Sequence, residues 1–215
     1  ILVNAQDVDG IIDKFRTSSR DHLKIMKSLN SLKHFNVKQC YVLLLSILRN
    51  SIKSYYLLQD KKGFLRISKS ISEIFKHIEV FTLKFSTLGK GQANKVESDV
   101  YSKISIFIEN DLIKEEEWTE RFLNNPRGKN PDSFDKMIVT AWTNTVKTKI
   151  INELDSILEK ESISDIDVFE GSIRKLRYDK GSDYNVIKYI LEKINQYIYG
   201  QKELDFNELL TQEHI

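Results

Sequence analysis

The chain has 215 residues, 40% hydrophobic and 30% charged, with two prolines and eight glycines. That is about 1% proline and about 4% glycine, where soluble proteins average about 5% and 7%. The scarcity of both breakers excludes turn-rich all-β folds, and the apolar content excludes a disordered chain. A single cysteine excludes an internal disulfide. The net charge of +2 conceals a segregation: residues 14–103 hold 18 Lys/Arg against 6 Asp/Glu, whereas residues 104–215 hold 15 against 22.

What these numbers predict is an all-α protein whose apolar residues recur in steps of three and four, the period of helices with one buried stripe. The first such stripe runs through Val8, Ile12, Phe15, His22, Met26 and Leu29. A second helix opens at Asn36, with Phe35 before the cap and Gln39 three residues after it, close to a capping box. Its stripe is Val37, Tyr41, Leu44, Leu48, Tyr55 and Leu58. The run from Cys40 to Leu48 is the most hydrophobic in the chain. Bounded by Lys38 and Arg49, it is far shorter than the roughly 20 residues that cross a bilayer, so Cys40 reads as a buried small side chain.

Gly63 marks a weak break, after which Ile67, Ile71, Ile74, Ile78, Phe81 and Phe85 alternate steps of four and three. Gly89-Lys90-Gly91 supplies a helix stop. A fourth helix carries Ala93, Val96, Val100, Ile104 and Phe107 and continues toward Trp118 and Leu123. Both prolines then fall in one loop, Asn124 to Pro131, with Asn130-Pro131 as cap and first residue of the next helix. That helix places Phe134, Ile138, Trp142, Val146, Ile150, Leu154 and Ile157 on its stripe. A shorter helix follows the Ser164 cap through Ile166, Phe169, Ile173 and Leu176. The last carries Tyr184, Ile187, Leu191, Ile194 and Ile198. Long helices with short connections pack as up-down antiparallel bundles. The expectation is an elongated rod of two stacked bundles with seven to eight helices: a basic bundle over 1–123, a connecting loop over 124–131 with a hinge at Gly128, and an acidic bundle over 132–215.

The search for chemistry returns little. His22, His34, His77 and His214 stand apart from one another and from Cys40, whereas zinc sites need ligands at short fixed spacings; no metal and no cofactor is expected. His77 neighbours the stripe residue Ile78 and has no acid placed to orient it. Gly89-Lys90-Gly91 lacks the spacing, the strand and the Ser/Thr of a phosphate loop. The acids Glu115, Glu116 and Glu117 point about 100° apart on a helix and cannot converge on one ion. No nucleophile motif is present, and a non-enzyme is the expectation.

The basic half carries the remaining signal. Arg16, Arg20, Lys24 and Lys27 recur at helical spacing on the first helix, and Lys62, Arg66, Lys69 and Lys76 do so on the third, with Glu73 the lone acid among them. An ordinary solvated face accounts for such a stripe, but an ordinary face mixes signs along its helix pairs. A one-sign field suits an acidic partner: anionic lipid, an acidic protein surface or, least of the three, nucleic acid. This gives the alternative reading, a peripheral module that binds anionic membranes through residues 14–103.

The order of features resembles the C-terminal helical domain of the exocyst subunit family named Exo eighty-four. Ile11-Ile12-Asp13-Lys14-Phe15-Arg16-Thr17-Ser18-Ser19-Arg20 resembles its helix entry. Ile25, Leu29 and Leu32, the apolar helix Val37 to Leu58, and Phe64-Leu65-Arg66-Ile67-Ser68-Lys69-Ser70-Ile71 with Ile74-Phe75 and Phe81 continue the likeness. Lysine, isoleucine and asparagine usage suggests a fungal member. The resemblance implies a non-catalytic scaffold domain in a vesicle-tethering complex, with other exocyst subunits as partners and small GTPases and SNAREs reached through the whole complex. It also implies a cytoplasmic location, peripheral at secretory vesicles and at plasma-membrane sites of exocytosis, in yeast the bud tip and bud neck. A chain that begins Ile1-Leu2-Val3, with no secretory leader pattern, reads as a piece of a longer cytosolic protein.

Overall fold

The computed structural model describes residues 20–35, 38–58, 61–88, 96–110, 131–161, 166–178 and 181–199. All regular structure among them is helical. Helix α1 is Arg20–His34, α2 is Tyr41–Leu57, and α3 is Lys61–Thr82, extended by a π-helical segment Leu83–Leu88. A second π-helical segment, Glu97–Tyr101, leads into α4, Ser102–Asn110. Helix α5, Pro131–Thr140, runs through a third, Ala141–Val146, into α6, Lys147–Lys160. The shorter α7, Ile166–Arg174, and α8, Gly181–Tyr199, complete the described helices. With α5 and α6 as one rod there are seven continuous helices among the described residues, within the expected seven to eight. The early stripe at Val8, Ile12 and Phe15, the caps at Asn36 and Ser164, the Gly89-Lys90-Gly91 stop and Gly128 lie outside the described residues.

The molecule is organised around α3. Ile67, Ile71, Ile74, Ile78, Phe81 and Phe85 are all buried, as the alternating spacing requires. So are Phe64, Ser68, Ser70, Phe75, Glu79 and Thr82 on other sides of the same helix, because α1, α2, α5 and α6 all pack against it. Each isoleucine withdrawn from water contributes about 1.5–3 kcal/mol, so this helix carries much of the fold's apolar stabilisation. Gly63 sits inside the first turn of α3 and is not a break: a Cβ there would come within 3.3 Å of both Leu58 and Val139. Glycine lets α5 approach the helix start.

Cross-helix contacts fix the directions. Asp21 meets Ser72, and Ser28 meets Glu79, each pair 51 residues apart, so α1 and α3 run parallel. Glu73 pairs with Lys147 and His77 with Asp155, separations of 74 and 78, so α6 is also parallel to α3. Ser46 to Ser105 and Arg49 to Glu109 place α4 parallel to α2. The parts expected on either side of 124–131 therefore lie side by side and share one core. Ile71, Ile74 and Ile78 belong to the same buried cluster as Trp142, Val146, Ile150, Leu154 and Val186.

Two of the π-helical segments have a cause in the sequence. The buried residues Ile138, Trp142, Val146, Ile150 and Leu154 recur every four residues without a single step of three. In an α-helix four residues turn about 400°, so each step drifts about 40° and the stripe would leave the core within a few turns. A π-helical segment, closed by i to i+5 bonds, turns less per residue and restores the alignment. Val96, Val100, Ile104 and Ile108 show the same spacing, with the segment at Glu97–Tyr101. Trp142, buried within α5's π-helical extension, donates from Nε1 to Ser54 Oγ at 2.8 Å, tying that rod to α2.

Three stripes differ from expectation. On α1 the core residues are Ile25, Ser28, Leu32 and Phe35, while Met26 is exposed and His22 half-buried. On α2, Cys40, Leu43, Leu44 and Ile47 face inward and Tyr41 is exposed. On α8, Val186, Tyr189 and Asn195 are buried, whereas Leu191, Ile194 and Ile198 are exposed. In α1 and α8 the deciding contacts are polar, and hydrophobic periodicity alone is blind to them.

Two measurements test this packing. Deleting Asn144, an exposed residue, forces the α5–α6 rod toward regular helix and swings the stripe beyond it by about 100°. Urea unfolding should register a loss of at least 3 kcal/mol, in the range of severe core disruption, while Asn144→Ala stays within about 0.5 kcal/mol. Asn50 is buried on α2, donating to the Ser46 carbonyl at 3.0 Å but with its Oδ1 unmatched. Replacing it by leucine removes an unsatisfied acceptor that costs about 1–3 kcal/mol. The expected outcome is a rise in melting temperature of about 2–4 °C per kcal/mol recovered.

Candidate functional site

The basic residues singled out in the sequence fall on α1 and α3, and the parallel pairing of these helices decides whether they share a side. Asp21 and Ser28 mark the line of α1 that faces α3, and Ser72 and Glu79 mark the line of α3 that faces α1. Lys24 follows Asp21 by three residues and precedes Ser28 by four, so it lies about 50° off that line in one rotational sense. Lys69 precedes Ser72 by three and Lys76 follows it by four, about 50° off in the opposite sense. On two parallel helices facing each other, opposite senses point to the same side. Lys24, Lys69 and Lys76 therefore flank one seam, with Lys27, Lys62 and Arg66 further round the same side.

Their states differ. Lys24 is ion-paired with Asp21 at 2.9 Å and Lys76 with Glu79 at 3.0 Å. Lys27, Lys62, Arg66 and Lys69 are exposed. Arg16 lies outside the described residues; Arg20 is the first residue of α1. The third-helix stripe expected to be solvated throughout is thus divided. Its first half faces out, while Glu73 and Lys76 in the second half are engaged by Lys147 and Glu79.

At one end of the seam lies a group that charge counting missed. Glu79 is 1% exposed, yet its carboxylate accepts from Ser28 Oγ of α1 at 2.7 Å, Tyr189 Oη of α8 at 2.6 Å and Lys76 Nζ at 3.0 Å, with Lys193 Nζ at 3.3 Å. Burial by itself pushes the carboxyl pKa up. The Tyr189 hydroxyl, Lys76, Ser28 and Lys193 together outweigh it and hold the pKa below its ordinary value of 4.5. Tyr189 is driven the other way, raised by burial and then by the adjacent Glu79 charge. Its ring also meets Phe35 edge-on, centroids 4.8 Å apart. Four side chains on three helices thus converge on one carboxylate, and α8 is fastened across the end of the α1/α3 seam.

Two expectations about individual residues change. His77, read as lacking an acid, bonds through Nε2 to Asp155 Oδ1 at 2.9 Å, an acid 78 residues away and invisible to local sequence. Cys40 is fully buried, and burial pushes its thiol pKa up to about 12, which leaves negligible thiolate near neutral pH. Among the described residues no three His, Cys, Asp or Glu side chains gather as a metal would require. No described helix is long and apolar enough to cross a membrane. A shallow, open groove lies along Lys136, Met137, Thr140, Ala141 and Thr145.

The outer side of α8 is the other notable surface. Leu191, Ile194, Tyr197 and Ile198 fall within about a third of its circumference, and Tyr197 is 91% exposed. The stripe expected to enter the core is turned outward because the Tyr189 side of the helix is held by Glu79 and Phe35. No protein-family model, curated protein or solved structure matches the chain.

The Glu79 junction yields a pH signature. A carboxyl whose folded pKa lies below its unfolded value contributes stability above the unfolded value and loses it as pH falls through the folded one. Stability should therefore decline as the solution is acidified from about pH 5, and Glu79→Gln should flatten that slope. At neutral pH Glu79→Gln should cost about 3 kcal/mol, because it strands Lys76 and Lys193 beside a buried amide. Tyr189→Phe should cost about 1–3 kcal/mol through one lost bond to a charged acceptor. Urea titrations of the variants between pH 3 and 8 measure all three; equal acid slopes for wild type and Glu79→Gln would remove the assignment.

Proposed function

We propose that the chain is a non-catalytic scaffold domain that works by assembly with other proteins, and that it serves a vesicle-tethering complex of the exocyst type. The observation that carries the assembly reading is the uncovered apolar stripe of α8. A helix in a folded protein ordinarily turns its three-and-four-spaced aliphatic residues inward. Here three of them, Leu191, Ile194 and Ile198, stand in solvent with Tyr197 beside them, and exposed apolar patches of this kind mark interaction sites. The junction that keeps α8 in this orientation is buried and ionic, so the stripe is presented on a fixed element and not on a loop.

The finer reading is supported by the resemblance of the sequence at 11–20, of the apolar α2 and of the isoleucine-striped α3 to the exocyst family. On this reading the occupant of the α8 stripe is an apolar helix of another exocyst subunit. The site of action is then the cytoplasmic face of secretory vesicles and of the plasma membrane where they fuse.

Affinity capture of the full-length protein from its own cells tests the proposal. Other exocyst subunits should be recovered with wild type and lost when Leu191, Ile194 and Ile198 are changed together to glutamate. These are exposed positions, so circular dichroism of the variant should be unchanged. Recovery of wild type without any exocyst subunit would remove the tethering assignment. Undiminished recovery with the triple variant would remove α8 as the contact.

A further inference from the structure

The seam between α1 and α3 offers something different from α8. Among the described residues, Asp21 is engaged by Lys24 and Ser72, Glu73 by Lys147, and Glu79 by its four donors. Lys27, Arg66 and Lys69 make no ion pair among the described residues, and all three are exposed. Along this side Lys27, Arg66 and Lys69 thus present unpaired positive charge from two parallel helices at once. Leu23, 58% exposed, stands at its outer edge on α1.

We propose that this two-helix flank is a docking surface for an anionic membrane, independent of the assembly role of α8. Charge complementarity selects the partner's sign, and the form of the surface selects its kind. Two helix ridges with flexible cationic tips suit a partner that is extended and deformable rather than shaped. A protein partner would need an apolar centre from which lysine is depleted, whereas here lysine is concentrated and the aliphatic contact is at the margin. Single-stranded nucleic acid would need aromatic platforms for its bases, but the aromatic residues of α3 near the seam, Phe64, Phe75 and Phe81, are buried. A membrane surface accepts dispersed lysine and arginine contacts with its phosphates, each adding about fivefold to partitioning, and takes a marginal leucine into its interfacial layer. The closure of one end of the seam by α8 leaves the stretch containing Lys27, Lys69 and Arg66 open.

Vesicle co-sedimentation of the full chain tests this. Wild type should sediment with phosphatidylcholine vesicles containing about one-third phosphatidylserine, and should not with phosphatidylcholine alone. Binding should fall steeply as salt is raised from about 50 mM to several hundred millimolar. Changing Lys27, Arg66 and Lys69 together to glutamate should lower partitioning at least about 100-fold. The same change at Lys160, Lys175 and Arg177, exposed positions elsewhere, should lower it far less. Lys24 and Lys76 are left intact because they neutralise Asp21 and Glu79. Hydrogen exchange of wild type with and without vesicles gives a readout that needs no variant: protection should rise over 20–27 and 62–69. The proposal is overturned by absence of sedimentation with anionic vesicles at low salt, by equal losses in the two triple variants, or by protection confined to other helices. Capture of an acidic polypeptide such as polyglutamate at this flank, with vesicles left unbound, would assign the surface to a protein instead.

Discussion

A carboxylate removed from water costs several kcal/mol unless donors replace its hydration, and the architecture around α1, α3 and α8 is an answer to that cost at Glu79. Two hydroxyls and two ammonium groups meet it, and they come from three helices. Each donor constrains the element that carries it. Ser28 rotates α1 so that Ile25 and Leu32 follow it into the core and Met26 does not. Tyr189 rotates α8 so that Val186 goes in while Leu191, Ile194 and Ile198 stay out. A pattern of apolar residues sets which elements exist; this single charge sets the angle at which two of them dock.

The same docking separates two surfaces of opposite character. With α8 turned by Tyr189, its aliphatic face is delivered to the outside as an apolar strip. With α1 held parallel to α3 by contacts of constant separation, lysines from both helices are delivered to one side. Had α1 run antiparallel to α3, residues in opposite rotational senses would have pointed to opposite sides, and the positive field would have been halved on each. The direction of a helix pair, fixed by buried polar contacts, thus determines the electrostatics of the surface above it.

The helical class and the α3 stripe were legible because they depend on local spacing, which steps of three and four record directly. The steps of four at Ile138 to Leu154 stand in the sequence as well, but they read there as an ordinary helical stripe, and the π-helical segment between Ala141 and Val146 came only with the structure. What could not be read were contacts between distant residues. Asp155 orients His77 across 78 positions, and Glu79 counted merely as one of few acids in a basic half. On α8 the aliphatic spacing pointed to the wrong face, because nothing in that helix's own sequence reveals that a tyrosine hydroxyl two turns in will find a buried carboxylate. On α1 a buried serine was indistinguishable from a surface one for the same reason. The side-by-side arrangement of the parts flanking residues 124–131 was hidden likewise, since a proline-rich loop records where a helix stops and not where the next one packs.

The charge segregation along the chain acquires a physical explanation from this arrangement. The acids of the second half include Asp155, which crosses to His77 on α3, while the first-half acid Glu73 is taken up by Lys147 on α6. These exchanges at the α3/α6 contact engage charge on the inner part of α3's polar flank. They leave the outer part, where Arg66 and Lys69 stand, without a compensating wall. A surface field in a folded protein is set by the charges that packing leaves unengaged, and on α3 the partition follows the reach of α6. Residues alongside it are paired, and residues beyond it remain positive. The chain-long count of basic residues therefore overstates the field in some places and conceals it in others, and the α1/α3 seam is where the excess emerges.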